Sequence, residues 1–279
     1  MRRPIRILFV ALAVAMIFAA VGCEKKAEAP KLTPKVAPPA VDKAGVLTVG
    51  VDLQTPPFAG EDQGQKAGID VDVAAAVAEK LGLTVKYVDV APSEVATAIA
   101  QGKVDLAMSV PIATADLTRI SIAGSYLTDG PGIFQLPSAV TTGVAEVTLD
   151  NMAAEPVSAQ TGSEAYWLVL RDRGEKAVTG VESLRAAIEQ VSKGEAPAAA
   201  GDVVVGAYLL KDYPNVKYVG LAGPASPLGV ATAADNKTLG DAARSALDEL
   251  AADGVLDSIQ KKWIPNMPVL KVEAAKTSK

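Results

Sequence analysis

The sequence predicts an α/β protein built as two successive units, each a central sheet flanked by helices. Three observations carry this. Short β-branched runs alternate with apolar stripes of helical spacing, glycines punctuate the helix ends, and Gly130-Pro131-Gly132 interrupts the pattern between the two units. The order strand, helix, strand, helix, strand in the first unit is the pattern of a parallel sheet covered by helices.

Val46–Val51 starts the first strand, and the polar, glycine-containing stretch Gly60–Gly68 reads as a loop. Asp70–Leu81 places Val73, Val77, Ala78 and Leu81 on one helical face, which Gly82 ends. Thr84–Val90 is β-branched and reads as a strand. Pro92-Ser93-Glu94 opens a helix to about Gln101 with Val95, Ala98 and Ile99 inward. Gly102 stops it, and Val104–Met108 is the next strand.

In the second unit, Pro156–Ala159 is a short strand, Ser163–Arg171 and Val181–Ser192 are helices, and Ala198–Ala200 is a buried strand. Asp202–Leu210 admits two readings: its valines favour a strand, while Asp202 can cap a helix carrying Val205 and Leu209. Val216–Val219 is a strand. Helices over Lys237–Ala251, with Leu239, Ala243, Leu247 and Leu250 in register, and Val255–Trp263 follow. The tail beyond Trp263, with Pro265 and Pro268, is expected to pack and then fray.

Composition narrows the function. The 279 residues are 49% apolar and 21% charged, enough for one or two ordinary cores. From Cys23 onward there are 24 basic and 32 acidic side chains, which argues against a nucleic-acid partner. The chain has no histidine, removing a His general base, a Ser-His triad and any His-ligated metal. Carboxylates could still hold a hard cation, but no calcium-loop spacing occurs; neither a metal nor a cofactor is expected.

Arg2, Arg3 and Arg6 precede the apolar stretch Ile7–Val21 and Gly22, the pattern of a signal peptide over 1–22. An uncut membrane anchor is the alternative. Ala20-Val21-Gly22-Cys23 resembles a bacterial lipobox, with alanine where leucine is more typical. That resemblance implies that Cys23, the single cysteine, is acylated and ties the chain to a lipid bilayer. Residues 23–43, rich in Lys, Ala, Glu and Pro, read as an extended tether.

Fragments in a fixed order resemble the extracellular solute-binding proteins of polar amino-acid ABC importers. They are Gly45-Val-Leu-Thr-Val-Gly50, Pro56-Pro57-Phe58, Gly68-Ile-Asp-Val-Asp72, Gly102-Lys-Val-Asp-Leu106, Gln160-Thr-Gly-Ser163, Pro227-Leu-Gly-Val-Ala231 and Lys262-Trp263. The resemblance implies a two-lobed periplasmic-binding-protein-like fold joined by two hinge strands. Lobe one would be 44–130 plus 224–279, and lobe two 131–223. It further implies a monomer of the cell envelope, facing the periplasm or the exterior, which closes on an amino-acid-like ligand and delivers it to a membrane permease. No catalysis is expected. A receptor feeding a membrane sensor, a cleft-based dehydratase and a surface adhesin are the alternatives.

The resemblance also carries binding roles. Thr114 and Arg119 match the family's Thr…Arg pair in internal spacing, with Arg119 gripping the ligand carboxylate. Two residues are inserted before that pair; without them the arginine position falls on Leu117, and Arg119 is otherwise a solvated surface residue. Asp202 corresponds to the aspartate that holds the ligand ammonium, or is merely a helix cap. Thr161, Gly162 and Ser163 match a loop whose amides meet the carboxylate, and Ser109 and Thr114 offer hydroxyls or simply finish their loop. Thr55 stands where the family stacks an aromatic ring, three residues before Phe58, so a more polar or roomier cleft is expected.

Overall fold

In the computed structural model, residues 32–139, 146–153 and 156–270 are described. The signal segment, Cys23 and the last nine residues lie outside them. In chain order the first elements are β1 (Val46–Val51), β2 (Gly60–Asp62), β3 (Gln65–Ala67), α1 (Ile69–Lys80), β4 (Thr84–Asp89), α2 (Val95–Ala100), β5 (Leu106–Pro111) and β6 (Ile120–Asp129). There follow β7 (Pro131–Gln135), β8 (Val157–Gln160), α3 (Glu164–Arg173), β9 (Val178–Val181), α4 (Leu184–Lys193), β10 (Ala198–Asp202), α5 (Val203–Leu209) and β11 (Lys217–Leu221). Then come β12 (Ser226–Ala233), α6 (Lys237–Ala252) and α7 (Val255–Trp263).

Two five-stranded sheets organise these elements, in the orders β4-β1-β5-β12-β6 and β11-β7-β10-β8-β9. The βαβ stretches supply parallel pairs, β4-β1-β5 in one sheet and β10-β8-β9 in the other. The remaining strands run antiparallel, so both sheets are mixed where the pattern of strands and helices predicts a parallel one. These added strands flank the two places where the chain passes between sheets. β6 ends at Asp129 and β7 begins at Pro131; β11 ends at Leu221 and β12 begins at Ser226. The crossings lie side by side, since Asp129 pairs with Ser226 and Gly132 with Leu221. A methyl group at Gly130 would stand 2.9 Å from the Ala225 Cα, so the two segments meet backbone to backbone.

The helical stripes bury as their spacing requires. Val73, Val77 and Ala78 of α1 and Leu239, Ala243, Leu247 and Leu250 of α6 pack with Leu47 and Val49 of β1 in the first lobe. Leu184, Ile188 and Val191 of α4 pack on Phe134 in the second. Each Val, Leu, Ile or Phe among them, fully buried, contributes about 1.5–3 kcal/mol. Ser183 and Asn236 cap α4 and α6 by accepting the amides of Ala186 and Leu239.

Three further readings of the sequence change, and one left open is settled. The segment 32–43 is no free tether: Val41 is fully buried, the Lys35 amide donates to Leu81, and the Asp42 amide donates to the Asp105 carboxylate. Its few apolar side chains reach the core of the first lobe despite its proline content. The stretch expected as a loop over 60–68 folds back as the β2–β3 hairpin. The helix expected from Val181 begins at Leu184, because Ser183 caps it and Val178–Val181 joins the sheet edge as β9. Asp202–Leu210 resolves into the last residue of β10 followed by α5.

Candidate functional site

A cavity of about 490 Å³ opens between the lobes, a volume suited to a small molecule. Phe58, Asp70, Ser109 and Thr114 line it from the first lobe, Glu164 and Asp202 from the second, and Asp129, Gly130 and Pro224–Ser226 from the crossings. An adjoining hollow of about 390 Å³ shares Thr55 and Asp202 and adds Gln160, Ser163 and Arg185. A roomier hollow of about 850 Å³ lies by Lys211, Lys217, Lys262 and Trp263 and collects none of the expected ligand residues. The interlobe cavity is therefore the candidate site.

Local chemistry explains how the first lobe builds its wall. Gly68 precedes α1 with φ at +145°, and a β-carbon there would sit 2.2 Å from the Phe58 carbonyl oxygen. That close approach lets the amides of Ile69 and Asp70 donate to the carbonyls of Pro57 and Phe58, both at 2.9 Å. It brings the Pro56-Pro57-Phe58 turn against the start of α1. Asp70 is almost fully buried there and accepts a hydrogen bond from the Tyr126 hydroxyl at 2.6 Å. That hydroxyl in turn accepts the Ser109 amide at 2.9 Å. Ser109 holds φ at +53°, an unfavourable conformation for a residue with a side chain, of the kind that clusters at binding sites. Burial pushes the Asp70 carboxyl up to about 6, against the lowering effect of its hydrogen bonds.

The crossings and second lobe add three carboxylates. Asp129 accepts the amides of Gly130 at 2.8 Å and Val204 at 3.0 Å, so it caps α5 from a distant strand. Burial, followed by repulsion from Asp202, raises its carboxyl to about 7. Asp202 occupies the N-cap position of α5 but makes no capping hydrogen bond. Its side chain remains open to cleft water, yet the surrounding walls desolvate it and Glu164 repels it, so its pKa is raised. Glu164 begins α3. On the first lobe, Asp52 accepts the Thr55 hydroxyl at 2.7 Å.

The structure gathers Thr55, Phe58, Ser109, Thr114, Ser163 and Asp202 on the linings of the two adjoining spaces. It does not bring Arg119 there. β5 and β6 both run toward the cleft, and the intervening loop carries the chain back to the far end of the sheet. Arg119 precedes Ile120, which pairs with Ala233, about 30 Å along β6 from the Asp129 end at 3.3 Å per residue. Its guanidinium contacts Thr97 on α2. Leu117, the other candidate position, is exposed on the same loop.

Thr161 and Gly162 line neither space. The Thr161 amide donates to Val181 and the Ser163 amide to Gln160, while the Ser163 hydroxyl caps α3 by accepting Tyr166. Two of the three loop amides expected to hold a carboxylate are thus already engaged. Asp52, Asp70, Tyr126, Asp129, Glu164 and Arg185 join the site without having been expected there. One readable signal was present: Asp70 shares the helical face of Val73 and Val77, an acid in a core stripe. Among the described residues, no cluster of Asp, Glu, Cys or His is arranged to hold a metal.

Two α/β lobes, two adjacent crossings and a cavity between them that is lined by carboxylates and apolar side chains define a ligand-binding cleft. The chain belongs to the bacterial extracellular solute-binding proteins, family 3, whose model matches residues 47–266. It is 27% identical over 217 residues to the amino-acid-binding protein AabA of Dichelobacter nodosus, covering 74% of this chain and 82% of the relative. It is 26% identical over 223 residues to a probable ABC transporter arginine-binding protein, ArtJ, of Chlamydia trachomatis, covering 77% and 84%. An ancestral cationic amino acid solute-binding protein, AncCDT-1, superposes with a TM-score of 0.70 at 26% identity, covering 79% of this chain and 96% of that one. The L-cystine solute receptor of Neisseria gonorrhoeae, unliganded and open, shares the fold with a TM-score of 0.66 at 22% identity, covering 81% and 95%.

Proposed function

We propose that this chain is the ligand receptor of an ABC importer, held on the cell-envelope surface by an acylated Cys23 and delivering its ligand to a membrane permease as a monomer. The observation that carries the reading is the interlobe cavity lined from both lobes and from the crossings, in a family of solute-binding proteins. Lobe one comprises 44–130 plus 224–279 and lobe two 131–223. Residues 32–43 pack on lobe one.

Within the cleft, Asp202 is the principal ligand acceptor, with Ser109 and Thr114 as hydroxyl partners and Phe58 as an apolar wall. The test is a thermal-shift screen of the full chain against amino acids, amines and small acids, repeated on Asp202→Asn. Hits should raise the unfolding temperature, and Asp202→Asn should weaken them about tenfold or more. Hits that all survive within about threefold remove Asp202 from the site. For the anchor, Cys23→Ser should release the chain from membranes or block its processing; retention equal to wild type after signal cleavage ends the lipoprotein reading.

An enzymatic reading has one supporting observation. The Asp129 carboxyl, raised to about 7, is a proton donor in range for acid chemistry at neutral pH. AncCDT-1, the ancestral amino acid-binding protein to which the chain is similar, is itself a precursor of cyclohexadienyl dehydratase. Asp129 nevertheless spends one oxygen on capping α5, and no lysine stands opposite it among the described lining residues. Binding without turnover is the better-supported function: ligand recovered after prolonged incubation with the protein should be chemically unchanged.

A further inference from the structure

We propose that the ligand is an organic cation without an α-carboxylate, such as a diamine or a guanidino-amine, and not a zwitterionic amino acid. The inference rests on the cleft reading above and concerns only what that cleft accepts. Asp52, Asp70, Asp129, Glu164 and Asp202 border the cavity, and among the described residues no lysine or arginine does. The adjoining hollow holds one cation among its described residues, Arg185, whose guanidinium is paired with Asp212 at 2.9 Å. Hydrogen bonds satisfy part of Asp52, Asp70 and Asp129, but Asp52 still repels Asp70, Asp202 repels Asp129 and Glu164 repels Asp202. No cation among the described residues of the cavity wall offsets them, which leaves positive charge as the missing component.

The means of holding a ligand carboxylate are lost one by one. Arg119 lies at the opposite end of the sheet. The amides of Thr161 and Ser163 are engaged within their own loop. The start of α3, where the positive end of the helix would receive an anion, carries Glu164 as its first residue, facing the cavity. A ligand carboxylate entering there would meet a like charge. Asp202, by contrast, accepts no hydrogen bond among the described residues and is the open acceptor for an ammonium or guanidinium. The rest of the wall fits a hydrocarbon stem: Phe58, Pro92, Pro111, Pro224, Ala225 and Leu228. Such a wall, and the absence of a metal-holding cluster among the described residues, select an organic cation over a hydrated metal ion.

Matched pairs test this. Lysine against cadaverine, and arginine against agmatine, differ only by the carboxylate, and calorimetry on the full chain in mild detergent at pH 8 measures each affinity. The amine of at least one pair should bind about tenfold or more tightly than its amino acid. Glu164→Gln should narrow that gap about threefold or more by admitting the carboxylate. Glu164 is exposed, and an unchanged unfolding midpoint verifies that the variant folds. Amino acids binding as tightly as their amines, with Asp202→Asn weakening both, would overturn the inference and leave the cleft reading standing. Binding of neutral or anionic compounds alone would overturn it in the same way. Ligands of any charge that are insensitive to both substitutions overturn the cleft reading together with the inference.

Discussion

Asp70 and Asp129 show how a polar side chain at a core position becomes informative only with its neighbours in place. Both carboxyls are raised, chiefly by burial, and both belong to the wall of the cleft. A carboxyl whose native pKa lies above its unfolded value favours the fold at low pH. Its penalty grows as the pH rises from the unfolded value of 3.8 to the native value, here about 6 for Asp70. Asp70→Asn keeps an acceptor for the Tyr126 hydroxyl and removes the charge. It should therefore gain roughly 1–3 kcal/mol of unfolding free energy at pH 8 and little or nothing at pH 3. Denaturant titrations at both values measure it; a gain that is the same at both pH values would show that the charge is not its source. Asp202 is the complementary case. Its residue type and spacing were legible in the sequence, but the choice between cap and ligand partner was not, because the cap of α5 comes from Asp129 across a chain crossing.

Elements were legible where one face is buried against a single layer. α1 and α6 carry clean stripes, and their boundaries fall within a residue or two of the sequence reading. β6 and β12 were not recognised as strands. β12 contains Pro227 and Gly229, residues that argue against a strand, and its register against β6 shifts twice along their length. Their stability comes from mutual pairing across more than ninety residues of sequence, which no local pattern encodes. α5 teaches a related lesson. Gly206 lies inside the helix, where helix propensity alone favours alanine by about 1 kcal/mol. A β-carbon there would stand 2.0 Å from the Phe134 ring, which is fully buried and cannot yield. Gly206→Ala should therefore destabilise the second lobe by about 1–3 kcal/mol, and denaturant unfolding would reveal the opposite sign if propensity ruled. The fragments that carry the family resemblance also divide at this scale. Asp72 accepts both Lys262 Nζ and Trp263 Nε1 at 2.7 Å, and Asp105 accepts the Asp42 and Thr48 amides, so these ties hold lobe one together and stand outside the cleft.

At the scale of the molecule, a cavity between two lobes joined by adjacent crossings predicts that the lobes close on a bound ligand. Ligand bound between them stabilises the closed form over the unfolded chain by RT ln(1 + [L]/Kd), about 2.7 kcal/mol at a hundredfold excess over Kd. Small-angle scattering should show the particle contract on saturation with an amine that binds. An unchanged profile, with that stabilisation present, would mean that the cleft binds without closing. The sequence by itself determined the alternation of strands and helices and the α/β class, because these rest on local periodicity, while the place of Asp202 in the cleft was legible through the family resemblance. Only the tertiary structure decided which of the expected ligand residues meet. Thr114 and Arg119 are five residues apart in sequence, yet the strand direction that places one in the cleft carries the other to the far edge of the sheet. Charge in the cleft was equally hidden, since its five carboxylates come from segments spread between Asp52 and Asp202 and come together only where the two lobes border one cavity.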